Sequence, residues 1–225
     1  GLYNADLDED GAVGWLAGFA YQIPEIALKT SITYRSEIDH KASAREYGQS
    51  NVLAFDGSSP VYDVATDANI TTPQSVNLDF QTGIMANTVA FANVRWVNWK
   101  DFSLDLKQFG TVADTLGALG QTPDNPNGFD IVGYTDDQWS ANVGVGRKFN
   151  DLWAGNVSVG WDSGAGNPVS TLGPTEGYWN VGLGLQYSPT PATLIAGGVK
   201  YFMLGDAKAQ TGAQAVGPEY VAEFE

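Results

Sequence analysis

Apolar and polar residues alternate with period two in eight windows of the chain. Over 13–21, Val13, Trp15, Ala17, Phe19 and Tyr21 oppose Gly14, Leu16, Gly18 and Ala20. Over 26–34, Ile26, Leu28, Ile32 and Tyr34 oppose Lys29, Ser31, Thr33 and the following Arg35. Val76, Leu78, Phe80 and Ile84 oppose Asn77, Asp79 and Gln81 over 76–84. Over 88–97, Ala90, Ala92, Val94 and Trp96 oppose Asn93 and Arg95, with Phe91 and Val97 sharing the polar side. The second half repeats this in windows beginning at Trp139, Trp153, Trp179 and Ile195, where Gly, Asn and Ser fill the polar positions. Such alternation predicts strands with two chemically different faces.

The connections alternate as well. Those at 22–25, 85–87, 150–151 and 188–191 are short, whereas 47–70, 103–135 and 163–176 are long and polar. Both ends, 1–10 and 206–225, fall on the long side. Short turns on one rim and long loops on the other predict an all-β, transmembrane, antiparallel up-and-down barrel. Trp15, Tyr21, Tyr34, Trp96, Trp139, Phe149, Trp153, Trp161, Trp179, Tyr187 and Tyr201 occupy the apolar faces, mostly near strand ends. That is the distribution of an interfacial aromatic girdle. A closed barrel satisfies every backbone amide internally, which lipid requires. The competing architecture is a soluble β-sandwich. Against it stand strands near ten residues, where about five or six is usual, and polar faces poor in Lys and Glu.

Composition narrows the function. Gly makes up 27 of 225 residues, and aromatics 12%, while charged residues are only 16%, against about 25% in soluble domains. The net charge of −15 disfavours nucleic acid as a partner and docking on an anionic cytoplasmic membrane. With no cysteine and one histidine, thiolate and His-rich metal sites are excluded, and no cofactor is implied.

The candidate chemistry is sparse. Asp6–Gly11 matches the opening of an EF-hand loop, but Ala17 stands where a bidentate Glu is needed. An acidic rim loop accounts for it more simply. Ser36 and His40 share a strand face but lie about 13 Å apart at strand rise, too far for a nucleophile–base pair. The chain is therefore not expected to be an enzyme. Lys29, Arg35, Asp79, Arg95, Asp162 and Lys200 fall on the polar faces. A polar, ion-paired barrel interior explains them. They also suit a ligand site in which Arg35, Arg95 or Lys200 holds a carboxylate and Phe91, Val97 and Phe202 contact an acyl chain.

Several segments carry a family resemblance. Val94-Arg95-Trp96-Val97-Asn98-Trp99-Lys100-Asp101-Phe102 resembles the strand ending in W-x-x-W-x-x-F of the FadL/TodX outer-membrane transporters of hydrophobic compounds. Thr72-Pro73-Gln74-Ser75 resembles the entry to the preceding strand, and Asp136-Asp137-Gln138-Trp139 opens a later one. The run Trp153–Ser163 is similar to the family's W-x-x-R-x-G-x-x-x-D-x-S strand, with Asn156 in place of Arg. Gly177–Gly184 looks like D-R-x-W-x-S-x-G without its Asp-Arg, and Val199-Lys200-Tyr201-Phe202 resembles the penultimate strand.

The resemblance implies passive transport of long-chain fatty acids or similar hydrophobic molecules across the outer membrane of a Gram-negative bacterium. The surroundings would be outer-membrane lipid and lipopolysaccharide. Family members are 14-stranded barrels with a lumen-plugging hatch. Residues 1–225 are thus expected to form part of one such barrel, about eight strands of it, without the hatch, the early strands and the last strand. The alternative is a small structural or adhesive eight-stranded barrel with a filled interior. The two differ in whether strand 12–22 pairs directly with strand 192–205.

Overall fold

The structure is a computed structural model, and it describes residues 2–49, 61–104, 106–120, 127–128, 130–167, 169–170, 176–210 and 223–224. The strands are β1 (Leu2–Leu7), β2 (Leu16–Ile23), β3 (Leu28–Arg35), β4 (Ile38–Gln49), β5 (Val61–Thr72), β6 (Ser75–Met85), β7 (Thr88–Val97), β8 (Ser103–Leu104), β9 (Val132–Gly133), β10 (Gln138–Lys148), β11 (Trp153–Asp162), β12 (Val169–Ser170), β13 (Tyr178–Thr190), β14 (Thr193–Leu204), β15 (Ala207–Gln210) and β16 (Glu223–Phe224). An α-helix, α1, spans Lys107–Ala118. Among the described residues no helix is long and apolar enough to cross a membrane.

All eight predicted strands lie in one antiparallel sheet, ordered β14-β13-β11-β10-β7-β6-β3-β2. β2 and β14 form its two edges and do not pair with each other. The pairing needed for a closed eight-stranded barrel is therefore not made.

Four tight connections share one rim. Pro24–Ile26 forms a single 3-10 turn whose exit, Ala27, is left-handed at φ 51°. Asn87, at φ 56°, turns β6 into β7, a conformation that Asn tolerates better than most residues. The Asn150 side chain accepts the Leu152 and Trp153 amides, each at 2.9 Å, and so shapes the β10–β11 turn. A two-residue turn joins β13 to β14, where Thr190 opposes Thr193. Short turns on a single rim are the periplasmic pattern of outer-membrane barrels.

Exposure follows the reverse of a soluble fold. Along β13, Trp179 is 54% exposed and Leu183 58%, while the intervening Asn180 is 4% exposed. On β11, Val157, Val159 and Trp161 are exposed, whereas Ser158 and Asp162 are each 7% exposed. The apolar face is outward and the small polar face is enclosed. This removes the β-sandwich alternative, in which the apolar face would be the buried one.

The opposite rim corrects two expectations. Much of 47–70 is not loop: β4 and β5 form a long hairpin that carries the β3 and β6 strands beyond the sheet, with β1 added at its edge. The 103–135 stretch contains β8, β9 and α1. Together these build an outer module with its own core of Ala44, Ala68 and Leu106, flanked by Ala5, Ile70, Phe109 and Ile131. The small alanines of β4 gave no strong apolar period, and a helix packed on a hairpin is a tertiary event. The parts of the long stretches at 50–60, 121–126, 171–175 and 211–222 lie outside the described residues. The first strand begins at Leu16 instead of 13, and Ile26 belongs to the turn instead of β3.

Candidate functional site on the concave wall

Inter-strand register arranges the enclosed face in rows. One row crosses every strand of the sheet: Gln22, Lys29, Gln81, Phe91, Gly144, Ser158, Gly182 and Lys200. The next row outward holds Ala20, Ser31, Asp79, Asn93, Asn142, Gly160, Asn180 and Phe202. Beyond it come Asn77, Arg95, Ser140, Asp162 and Tyr178, and at the outer end Arg35, Ser75 and Val97. All six expected ligand residues, Arg35, Arg95, Lys200, Phe91, Val97 and Phe202, therefore lie on the enclosed face.

They do not converge on one point. Arg35, Arg95, Phe91 and Val97 sit on β3 and β7, while Lys200 and Phe202 sit on β14, four strands from β7. At about 4.8 Å per strand that is roughly 19 Å. Phe91 and Lys200 are linked only by sharing a row. Between them the wall is low, because Gly144, Gly182 and Ser158 carry little or no side chain. A Cβ on Gly144 would collide with the Phe91 ring. A concavity of about 1120 Å³ lies toward the short-turn rim, lined by Val89, Phe91, Gly146, Asn156 and Gly184 among others. A second, of about 670 Å³, is lined by Lys29, Asp79, Gln81, Phe91 and Asn93 among others. Phe91 borders both.

The charges of this wall run against those of the chain. Lys29, Arg35, Arg95, Lys148 and Lys200 face inward, against Asp79 and Asp162. Lys148 is taken by Asp151 at 2.8 Å. Asp79 is held by Asn93 at 2.7 Å and Ser31 at 3.3 Å. Among the described residues the Arg95 guanidinium donates to the Asn77 side-chain oxygen, at 3.2 Å. Asp162 accepts from Gln138 and from the Gly164 amide. The enclosed wall is thus cationic inside a chain of net charge −15.

One hydrogen-bond chain fixes the outer ends of these strands. Trp96 Nε1 and Asn98 Nδ2 donate to Asp137 at 3.0 and 2.9 Å. Trp99 Nε1 donates to Gln138 Oε1 at 2.8 Å, and Gln138 Nε2 donates to Asp162. Phe102 packs edge-on against Trp99, centroids 5.5 Å apart. Burial pushes the Asp137 carboxyl up, but the donors from Asn98, Trp96 and the Lys100 amide outweigh it and hold it below the usual carboxylate range. The segments 94–102, 136–139 and 153–163 are thereby joined, and their aromatic and acidic residues explain one another.

A scan of protein families matches residues 3–225 to the outer membrane protein transport proteins of the OMPP1/FadL/TodX family. The chain belongs to this family. The FadL/TodX chain is also similar to the crystal structure of a Pseudomonas aeruginosa FadL homologue, with 17% sequence identity and a TM-score of 0.58. That likeness covers 91% of this chain and 47% of the other, so the chain spans about half the length of its solved relative. No curated protein sequence matches it. Membership makes this an outer-membrane β-barrel protein, and the outward apolar face is its lipid contact.

The other motifs find structural roles. In the acidic segment, Asp6 and Leu7 lie in β1, and Asp10 accepts the Lys41 amide at 3.0 Å and faces His40 Nδ1 at 3.4 Å. This is strand and link geometry, not an EF-hand. Ser36 Oγ instead accepts the Trp15 amide at 2.9 Å, so Ser36 and His40 are engaged separately. One buried acid escaped sequence reasoning. Glu46 is fully enclosed and accepts from Tyr3, Thr66 and the Gln108 and Phe109 amides that open α1. Its only sequence signal is an acid among alanines, which is too weak to single out.

Proposed function

We propose that residues 1–225 form part of a single FadL/TodX barrel of about 14 strands. In this reading it carries long-chain fatty acids, or similar hydrophobic acids, passively through its lumen. The observation that supports this reading is the cationic enclosed wall described above, set beside Phe91, Phe202 and a low glycine floor. A carboxylate is drawn to Arg35, Arg95 or Lys200, and the acyl chain runs along the smooth wall past Phe91. Val97, 4% exposed, packs at the outer end of the same face. The separation of β7 and β14 fits successive stations better than one site. Among the described residues the outer edges of β2 and β14 are unpaired, which supports a barrel completed by further strands, since lipid does not tolerate open edges.

The test is uptake by cells carrying the full-length protein with Arg95→Gln and Lys200→Gln combined. Uptake of labelled oleate at low concentration should fall by about tenfold or more, the worth of lost charge-assisted bonds. Uptake of an uncharged alkane should stay near wild type. Equal loss for both cargoes, or no loss for oleate, overturns the carboxylate reading.

A further inference from the structure

Arg147 breaks the outward pattern of β10. It pairs across the ladders with Thr88 and Gly155, on the same lipid-facing side as Val145 and Val157. Its guanidinium reaches the Met85 sulfur, Nη1 to Sδ 3.8 Å. Among the described residues no carboxylate forms an ion pair with it. Lys148, next in sequence, points to the other face and is occupied by Asp151.

The position is near the periplasmic boundary. Trp153 and Tyr187 stack at 4.5 Å in the next outward-facing row toward the short turns. Two residues of strand are about 7 Å, and an arginine side chain spans that distance back to the headgroup layer. A groove of about 610 Å³ runs from Arg147 over the lipid-facing surface, walled by Val157, Leu183, Leu185 and Val199. It is open beside Leu185 because Gly197 has no side chain, while on the other side of Leu185 the Phe149 ring lies over Gly155. A Cβ built on Gly197 would meet nothing within 4 Å among the described residues.

A full charge on a lipid-facing wall needs a counter-charge or water. At the headgroup layer the available fixed anions are lipid phosphates, and planar guanidinium matches phosphate geometry. The apolar groove beside it has the shape and chemistry of an acyl-chain rest. We propose that Arg147 and this groove bind one phospholipid of the periplasmic leaflet. The phosphate sits on the guanidinium, and one acyl chain lies over Leu185 and Gly197, beside the Phe149 ring. The site is on the opposite face of the sheet from the lumenal cations and does not depend on the cargo.

Native mass spectrometry of the full-length protein, purified from outer membranes, tests this. Dioleoylphosphatidylglycerol and phosphate-free dioleoylglycerol would be offered in equal amounts. Wild type should retain one phosphatidylglycerol, preferred over the diacylglycerol by about tenfold or more. Arg147→Gln should abolish the preference. Gly197→Leu should displace the lipid with the guanidinium intact. Folding of both variants is checked by heat-modifiable gel migration. Equal retention of the two lipids by wild type overturns the proposal, as does undiminished phosphatidylglycerol retention in Arg147→Gln or Gly197→Leu.

Discussion

The transmembrane sheet and the outer module are joined by two-residue links, β3 to β4 and β5 to β6, but obey opposite solvation rules. On β13 the large side chains Trp179, Val181, Leu183 and Leu185 are exposed, and Asn180 and Gly182 are enclosed. On β4 the enclosed set is Ala42, Ala44, Glu46 and Gly48, while Arg45 and Tyr47 meet water. The sheet gains nothing from hiding apolar groups, because its outer solvent is hydrocarbon. The hairpin stands clear of lipid and must build a small conventional core against α1. Alternation along an extended strand thus sorts residues by face, and the medium beyond each face decides which set is large.

The strongest way to break this comparison is a charge on each region. Leu183→Arg, midway between the Trp179 and Tyr187 levels, should destabilise the barrel by about 2–4 kcal/mol in lipid bilayers, measured by denaturant unfolding. Ser43→Arg on the exposed face of β4 should stay within about 0.5 kcal/mol. Equal costs at the two positions would show that the outward face of β13 does not meet lipid.

The next test concerns the buried acid. Glu46→Ala strands the Tyr3 and Thr66 hydroxyls and the first amides of α1. It should cost about 2–3 kcal/mol within the outer module. Hydrogen exchange should quicken over 107–118, while the eight-stranded sheet keeps its protection. Loss of protection in β10–β14 as well would show that the two regions fold as one unit.

A smaller effect is expected where the regions join. Asp137→Ala should cost about 1 kcal/mol, read as faster exchange over 98–102. The pH dependence has a definite sign. The folded Asp137 carboxyl lies below its ordinary 3.8, so its contribution is present above that value and is lost as pH falls through the lowered folded value. The protein with Asp137→Asn should lack this acid-dependent step. Smallest of all is Asp63→Asn. Its Arg45 partner donates two bonds of 2.7 Å and depresses the carboxyl, but both side chains are exposed. No measurable change in unfolding midpoint is expected.

Much of this architecture is legible in the chain. The eight windows recover the eight strands of the sheet, and the placement of Phe91 and Val97 with the polar set is retained. Short connections identify the rim where Pro24, Asn87 and Asn150 make local turns, because such turns depend on a few adjacent residues. The outer module was less legible. Its core is built from Ala5, Ala44 and Ala68, residues too small to mark a period, and from Leu106 and Phe109, which sit beyond any strand pattern. Arg147 drew no reading from the sequence, since nothing in it states that Thr88 and Gly155 would flank it.

What the sequence determined by itself was a set of two-faced strands and the rim at which each turns. Both follow from local physics: successive side chains point to opposite sides, and a tight turn needs only its own residues. The tertiary structure alone decided which residues meet. Lys29, Phe91 and Lys200 fall on one row because five intervening strand pairings hold their register, together with that of β3 on β6. Glu46 reaches the start of α1 for the same kind of reason. Register and docking are long-range sums over many hydrogen bonds and contacts, and no single stretch of chain contains them.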